Sequence, residues 1–552
     1  MTLIVSESAY RRITTILLYY SIIGLFALSV ILTLAYQLSY VIGTNPHMPF
    51  FEADNYEYYL FAKLALLHPN ATPSTITNPY LIGAPKGFFE HPGLYLMPVY
   101  LYYILHLPMV WEFRILQGFA VFIIYLFSLL IIRRILNALP ISKIYHWLAY
   151  TIVMTSFLLM QYNEIIEWRG NEFATAISLV ITYVFAWMFT NSTNPIDSKR
   201  LFIGWSIITG LAVLSIWIWS GGGIVTVPLV TALMGGFLIY RFILQKHQSI
   251  WKYAALGVVI FAVLLFFLAT PIEDMLSNFT SQFGFSGCLV NPLHIGELEC
   301  LNNSNGLIAI LMMLVFSGFA LAAFLGYTIM SNKKNEYEYY LLGVFIAGAI
   351  FLPLALIYIR MLDLIAPYFT IMYALGIVAM LSYFSKASSN RIVLSLTILL
   401  ILISSFVGQY LFYSTSMILY HFANPSGLVN ATAYMRTNAP DSTVLAYYAY
   451  GDYLEAYGHM RVYGDTIQGL NYSRNEHIDY IFEQNSTIAC SWIKEIKPMP
   501  YYIMLSRSML NSTLFANASN NSIIRDPKSF DNSCGYSIVY NREGFVIFSK
   551  NR

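Results

Sequence analysis

The chain has 552 residues, 58% of them hydrophobic and only 11% charged, too few charges to clothe a soluble globule of that size. It reads as a polytopic membrane protein. Thirty basic against 28 acidic residues leave a formal net charge of +2, which excludes the basic excess that a nucleic-acid partner requires.

The first apolar run, 13–35, opens after Arg11 and Arg12 and meets no small-residue cleavage site, so a retained anchor is expected. A polar outer segment follows over 36–112. Within it 93–111, rich in tyrosine, bordered by Pro92 and carrying Pro98 and Pro108, is expected as a helix lying in the membrane interface. Further runs able to cross roughly 30 Å of hydrocarbon occupy 115–132, 144–160, 173–189, 201–219, 224–240, 254–269, 307–329, 340–359, 364–383 and 392–413. That makes eleven spans.

With this count, fourteen Lys and Arg residues before residue 414 share one face, among them Arg11, Arg12, Arg133, Arg134, Lys333 and Lys334. Five fall on the other: Lys63, Lys86, Arg114, Arg169 and Arg360. Positive-inside bias then puts the N-terminus in the cytoplasm and the C-terminus outside. The outer segments are 36–112, 270–306 and 414–552. The last returns to polar composition with short β-type runs, YYIML and FVIFS, and is long enough for a mixed α/β domain. The expected organisation is a membrane domain over 1–413 and an extracytoplasmic domain over 414–552.

Cys288, Cys300, Cys490 and Cys534 all lie in outer segments, one pair in each of two regions, as two local disulfides in an oxidising compartment would. Asn-Xaa-Ser/Thr sequons begin at Asn70, Asn191, Asn278, Asn302, Asn430, Asn471, Asn485, Asn511, Asn517 and Asn520. All but Asn191 are outside in this topology. Polar segments gather such triplets by composition alone, yet the set is consistent with a chain that is itself N-glycosylated.

Carboxylates cluster where the outer segments meet the membrane: Glu52, Asp54 and Glu57, then Glu164, Glu167 and Glu172, then Glu273, Asp274, Glu297 and Glu299. An acid at that depth costs free energy and marks a site, whereas any one loop acid, taken singly, is ordinarily solvated. Oxygen donors from separate loops suit a hard cation, Mn²⁺ or Mg²⁺. Arg360 ends a span at the outer side, where its fork either snorkels or binds phosphate. His68 and His91, isolated in loops, read as solvated or interfacial, and SIWIWSGGG at 214–222 as a tight connection.

In order along the chain, FEADNYEYY, NEIIEWRGNE, LHIGELE, YIRMLDLIAPYF and AYYAYGDYLEAYGHMRVYGD resemble the catalytic subunit of oligosaccharyltransferase in its archaeal form. The resemblance runs over most of the chain and implies a GT-C glycosyltransferase fold with an extracytoplasmic C-terminal domain. It also implies a metal-binding role for Asp54, which faces the acceptor amide, and for Glu172. HIGE at 294–297 makes Glu297 the partner of Asp54 in holding that amide, and Arg360 falls near the lipid-linked donor. Tyr447, Tyr448, Ala449, Tyr450 and Gly451 fall on the motif WWDYG, which binds the sequon hydroxyl; GHMR at 458–461 and Asp465 follow at the family's spacing.

Two residues depart from the pattern. Ala449 replaces the motif aspartate and cannot accept a hydroxyl hydrogen bond. Gly170 replaces the first acid of the second motif, with Glu167 one turn earlier as its substitute. The family has thirteen spans, two more than counted here.

The resemblance implies transfer of an oligosaccharide from a dolichyl phosphate or diphosphate carrier to asparagine of exported proteins, with Mn²⁺ or Mg²⁺ as cofactor. Its partners are that donor, the acceptor polypeptide and the membrane lipid. The reading requires Asp54, Glu172 and Glu297 to converge on one cation. A related GT-C transferase with a hydroxyl acceptor, and a non-catalytic paralogue that binds lipid-linked glycan, are the alternatives that Ala449 and Gly170 leave open. A transporter would place its charges at mid-membrane in paired halves, and here the acids gather at one face.

Overall fold

Long apolar segments satisfy their backbone groups in a membrane by closing helical hydrogen bonds within themselves, and helices dominate the described residues before 390. The structure, a computed structural model, describes residues 19–21, 23–28, 30–32, 50, 53–71, 76–82, 92–137, 141–160, 170–190, 198–219, 221–245, 337–357, 362–387, 425–464, 481–507 and 518–551. It forms two compact units. One comprises Met1–Ile42, Gln117–Asn291 and Ile295–Ile418; the other comprises Gly43–Leu116, Pro292–His294 and Leu419–Arg552. This grouping differs from a single cut at 413/414, since 43–116 belong with the C-terminal region.

The named helices, in chain order, are α1 (Ala53–Leu67), α2 (Pro92–Leu105), α3 (Met109–Asn137), α4 (Lys143–Met160), α5 (Gly170–Phe189), α6 (Ser198–Ile218), α7 (Gly221–Gln245), α8 (Tyr337–Ile357) and α9 (Leu362–Ala387). Among the described residues, Met109–Asn137, Glu172–Phe189 and Lys199–Ile218 are long and apolar enough to cross a membrane. Shorter apolar helical stretches, Tyr19–Leu32, Val225–Leu238, Tyr339–Phe351 and Leu364–Ala379, coincide with four other expected spans. The runs 254–269, 307–329 and 392–413 lie outside the described residues.

The expected interfacial helix is shorter than 93–111. His106 takes the left-handed conformation, φ 54°, just after α2 ends, and Pro108 follows. The chain turns there, Glu112 Oε1 accepts from the Leu107 amide at 3.1 Å, and α3 begins at Met109.

In the first unit α5 is central, packed against α6, α7, α8 and α9. Its apolar window is 83% buried against 39% for that of α6, so α5 is the more enclosed of the two. Helices in lipid gain little from apolar burial against one another and rely on close packing and hydrogen bonds across the contact. Tyr368 of α9 supplies one: its hydroxyl donates to Ser178 Oγ at 3.0 Å and lies 3.1 Å from Thr182 Oγ1, both on α5. α6 and α7 are joined by residues 219 and 220 alone, the tight connection expected of SIWIWSGGG.

The second unit holds α1, α2 and the start of α3 together with the C-terminal elements. These are α10 (Pro425–Asn438), β1 (Thr443–Leu445), α11 (Tyr448–Tyr453), a π-helical turn at Leu454–Gly458, β2 (Arg461–Val462), α12 (Ser486–Glu495), β3 (Tyr502–Ser506), β4 (Tyr536–Arg542) and β5 (Phe545–Lys550). The sheet order is β2-β1-β3-β5-β4; β1 pairs in parallel with β2 and β3, and β5 is antiparallel to β3 and β4. YYIML and FVIFS form β3 and β5, both buried at their centres. Strands buried on both faces read as unbroken apolar runs. A disulfide joins Cys490 of α12 to Cys534, ahead of β4, with Cα atoms 5.6 Å apart. Cys288 and Cys300 lie outside the described residues.

Candidate active site

Asp54 is the second residue of α1. The three residues after it, Asn55, Tyr56 and Glu57, are fully buried. Tyr56 fixes this end of the helix: its hydroxyl donates to the Phe50 carbonyl at 2.6 Å and accepts from the Phe50 amide at 3.3 Å. Phe50 is thereby held to the first turns of the helix that carries Asp54.

Residues three and four apart share a helix face, and Tyr56, Tyr59 and Lys63 use that spacing to meet the C-terminal region. The Tyr56 ring stands edge-on to Tyr453 and Tyr457, with centroids 5.1 and 5.5 Å away. Tyr59 stacks on Tyr457 at 5.5 Å, and Tyr457 stacks on Tyr453 at 5.6 Å. Lys63 Nζ lies 4.2 Å from the Tyr59 centroid and 5.4 Å from that of Tyr457, a cation close to both rings. Burial raises the Tyr453 and Tyr457 hydroxyls well above the usual tyrosine range, so both rings stay neutral.

The other side of the 448–462 segment is held by residues 78–82. Asn78 Nδ2 donates to Glu455 Oε2 at 2.7 Å, both side chains being buried. The Val462 amide donates to the Tyr80 carbonyl, and the Ile82 amide returns a bond to the Val462 carbonyl. Leu81 thus pairs in parallel beyond β2. His459, left-handed at φ 52°, closes the π turn, and its Nδ1 lies 3.0 Å from the Tyr80 hydroxyl. Burial first, then the Arg436 and Lys63 charges, push His459 below the usual histidine range, against the opposing pull of Asp441. π-turns inside helical segments recur at functional sites.

Tyr447 precedes α11 and is half-buried, while Tyr450 is buried with its ring 5.7 Å from that of Phe545. Tyr448 and Ala449 lie in the first turn of α11, and Gly451 is buried within it. Asp452, three residues beyond Ala449 on the same helix, is fully buried. The structure therefore brings the helix of Asp54 and the segment Tyr447–Gly451 into one packed unit.

Glu172 belongs to the other unit, in the first turn of α5, where the helix dipole favours a carboxylate; it is buried. Gly170, which opens the same helix, lies against Trp219: a Cβ built there would stand 2.4 Å from Trp219 Cγ. No side chain fits. Glu167, Glu297 and Arg360 lie outside the described residues. Among the described residues no group of three or more His, Cys, Asp or Glu is placed to hold a metal ion.

In the sequence His459 is marked only as part of GHMR, Tyr453, Glu455 and Tyr457 lie within a resembling segment without a role, and Asn78 goes unmarked. The only local signal is the crowding of tyrosines at 453 and 457 beside GHMR.

No protein-family model matches the chain, and no curated protein does. Solved structures do. An oligosaccharyltransferase, AglB from Archaeoglobus fulgidus, in complex with an inhibitory peptide and a dolichol-phosphate, is similar with TM-score 0.61 at 14% identity, over 97% of this chain and 74% of that one. The same organism's oligosaccharyltransferase in complex with zinc and sulfate gives 0.58 at 13%, over 96% and 73%. ArnT from Cupriavidus metallidurans gives 0.52 at 11%, over 96% and 98%. The chain has the GT-C membrane glycosyltransferase fold. In that fold the segment carrying Asp54 and the segment Tyr447–Gly451, almost 400 residues apart in sequence, are neighbours through α1 and α11.

Proposed function

We propose that this chain transfers an oligosaccharide from a dolichyl phosphate or diphosphate to the asparagine amide of Asn-Xaa-Ser/Thr sequons in exported proteins. The observation that carries the reading is the packing of α1, with Asp54 in its first turn, against α11 and the π turn. Support comes from the likeness to a solved oligosaccharyltransferase in complex with a peptide and a dolichol-phosphate.

An amide nitrogen is a poor nucleophile because its lone pair is delocalised into the carbonyl. Two carboxylates, Asp54 and Glu297, accept its two N–H donors, hold it and localise that pair. Arg360 stabilises the phosphate as it leaves. The donor set Asp54, Glu172 and Glu167 is all carboxylate oxygen, which fits Mn²⁺ or Mg²⁺, and the buried Glu172 at a helix start offers one such oxygen pair away from bulk water. A bound cation would supply charge stabilisation for the departing phosphate. The spans provide the surface for the polyprenol tail, with the C-terminal region on the extracytoplasmic side.

Membranes containing the protein, given a sequon peptide, a lipid-linked oligosaccharide and Mn²⁺ or Mg²⁺, form glycopeptide under this reading. Asp54→Ala lowers the rate by at least about 100-fold, the scale of losing a positioned acid-base group. A variant as active as the parent removes Asp54 from this role.

Ala449 favours a second reading, a lipid-linked sugar transferase with a hydroxyl acceptor. Offering Asn, Ser and Thr peptides side by side and locating the sugar by mass spectrometry separates the two.

A further inference from the structure

We infer that Asn485 is itself an N-glycan acceptor, the one sequon among those wholly within the described residues that presents both its amide and its hydroxyl residue to a transferase. The triplet Asn485-Ser486-Thr487 opens α12, and Asn485 and Thr487 are both exposed. Asn485 is the N-cap: its Oδ1 accepts from the Ile488 amide at 3.0 Å. That bond occupies the carbonyl oxygen and leaves Nδ2 outside it, so a sugar on Nδ2 keeps the cap intact.

The other two fully described sequons are built differently. At Asn430, inside α10, Nδ2 donates to Glu543 Oε2 at 2.7 Å and the hydroxyl residue Thr432 is buried. At Asn520 the hydroxyl residue Ser522 is fully buried, its Oγ donating to the Ser519 carbonyl at 2.6 Å. A transferase working on the folded domain therefore reaches a complete sequon at Asn485 and not at these two.

Two observations place α12 in a compartment where such transfer occurs. Cys490, one turn further along α12, is disulfide-bonded to Cys534, as befits an oxidising exterior. The positive-inside count puts residues beyond 413 on the outer side. In the step, a lipid phosphate-linked saccharide is the donor. The bond from the sugar anomeric carbon to the phosphate oxygen breaks, the bond from that carbon to Nδ2 forms, the lipid phosphate leaves with the electron pair, and one amide proton passes to solvent. The inference rests on the extracytoplasmic placement in the reading above and not on turnover by this chain.

Protein purified from the membranes of its own cells, digested and analysed as intact glycopeptides, tests it. The peptide containing Asn485 carries a glycan mass, while those containing Asn430 and Asn520 do not. Thr487→Val abolishes the modification without touching the cap, and Thr487→Ser keeps it. A bare Asn485, or occupancy at Asn430 and Asn520 equal to that at Asn485, overturns the inference. A parent that glycosylates added peptide while its own Asn485 stays bare defeats this inference alone.

Discussion

Asn78 and Glu455 lie 377 residues apart in sequence and share a buried hydrogen bond of 2.7 Å, the amide of one donating to the carboxylate of the other. It ties the segment 76–82 to the turn that follows α11. A buried acceptor that loses its donor costs about 1–3 kcal/mol, so Asn78→Ala is expected to destabilise the C-terminal region by that amount. Asn78→Asp costs more, since it sets a second carboxylate against Glu455. Glu455→Gln, which keeps an acceptor oxygen, costs less than either. Denaturation midpoints of the purified variants, with tryptic cleavage at Arg461 as a local probe, measure the order. An Asn78→Ala protein as stable as the parent refutes this role for the bond.

The contact between Gly170 and Trp219 makes a prediction that sequence comparison alone would reverse. Restoring the acid of the resembled motif, Gly170→Asp, looks like a repair of a metal site. The built Cβ stands 2.4 Å from the Trp219 ring, and forcing extra atoms into such a contact costs about 1–3 kcal/mol. Gly170→Asp is therefore expected to lower both thermal midpoint and activity. Adding Trp219→Ala to it should recover part of the midpoint. A single variant that gains activity contradicts the packing argument.

Much of the fold was readable in the sequence because the relevant forces are local. Apolar run length set the helices, and the unbroken runs YYIML and FVIFS marked β3 and β5. The end of α2 at Leu105 was not foreseen, since it depends on a left-handed His106 that no composition rule demands. Of the site, Asp54 and Tyr447–Gly451 stood out through their motifs. The clasp made by Asn78, Tyr80, Glu455 and Val462 did not, because its members are ordinary polar and apolar residues whose significance comes from pairing across the chain. Gly170 looked like a lost ligand until Trp219, 49 residues later, supplied the reason for it.

His459 gives the C-terminal region a defined pH response. Its folded pKa lies below the model-peptide value of 6.5, chiefly through burial and then through the Arg436 and Lys63 charges, with Asp441 and the Tyr80 hydroxyl as its other polar neighbours. The folded state therefore binds this proton less readily than the unfolded chain. Stability from this residue is full above pH 6.5 and is lost as pH falls from there through the depressed folded value. Thermal midpoints of the parent should drop between pH 7.5 and pH 5, and His459→Gln should drop less. Identical slopes for the two proteins exclude His459 as the source.

Under the proposed transfer, Ala449 sets the expectation for acceptor choice. A site that pairs a substrate hydroxyl rejects the analogue lacking it by large factors, since its own polar group is left unmatched. A methyl group has nothing to leave unmatched. Transfer to Asn-Xaa-Thr and Asn-Xaa-Ala peptides is therefore expected to differ by less than about tenfold, the worth of roughly one weak contact. Ala449→Asp should widen the ratio, by slowing the alanine peptide or by tightening binding of the threonine peptide. The ratio of kcat/KM for the two peptides, in parent and variant, is the measurement. A parent that already discriminates by a hundredfold has another group reading the hydroxyl. Asp452, buried three residues further along α11, is then the first to replace: Asp452→Asn would collapse the ratio if its carboxylate does the reading, and would leave it unchanged if it serves only the packing of the helix.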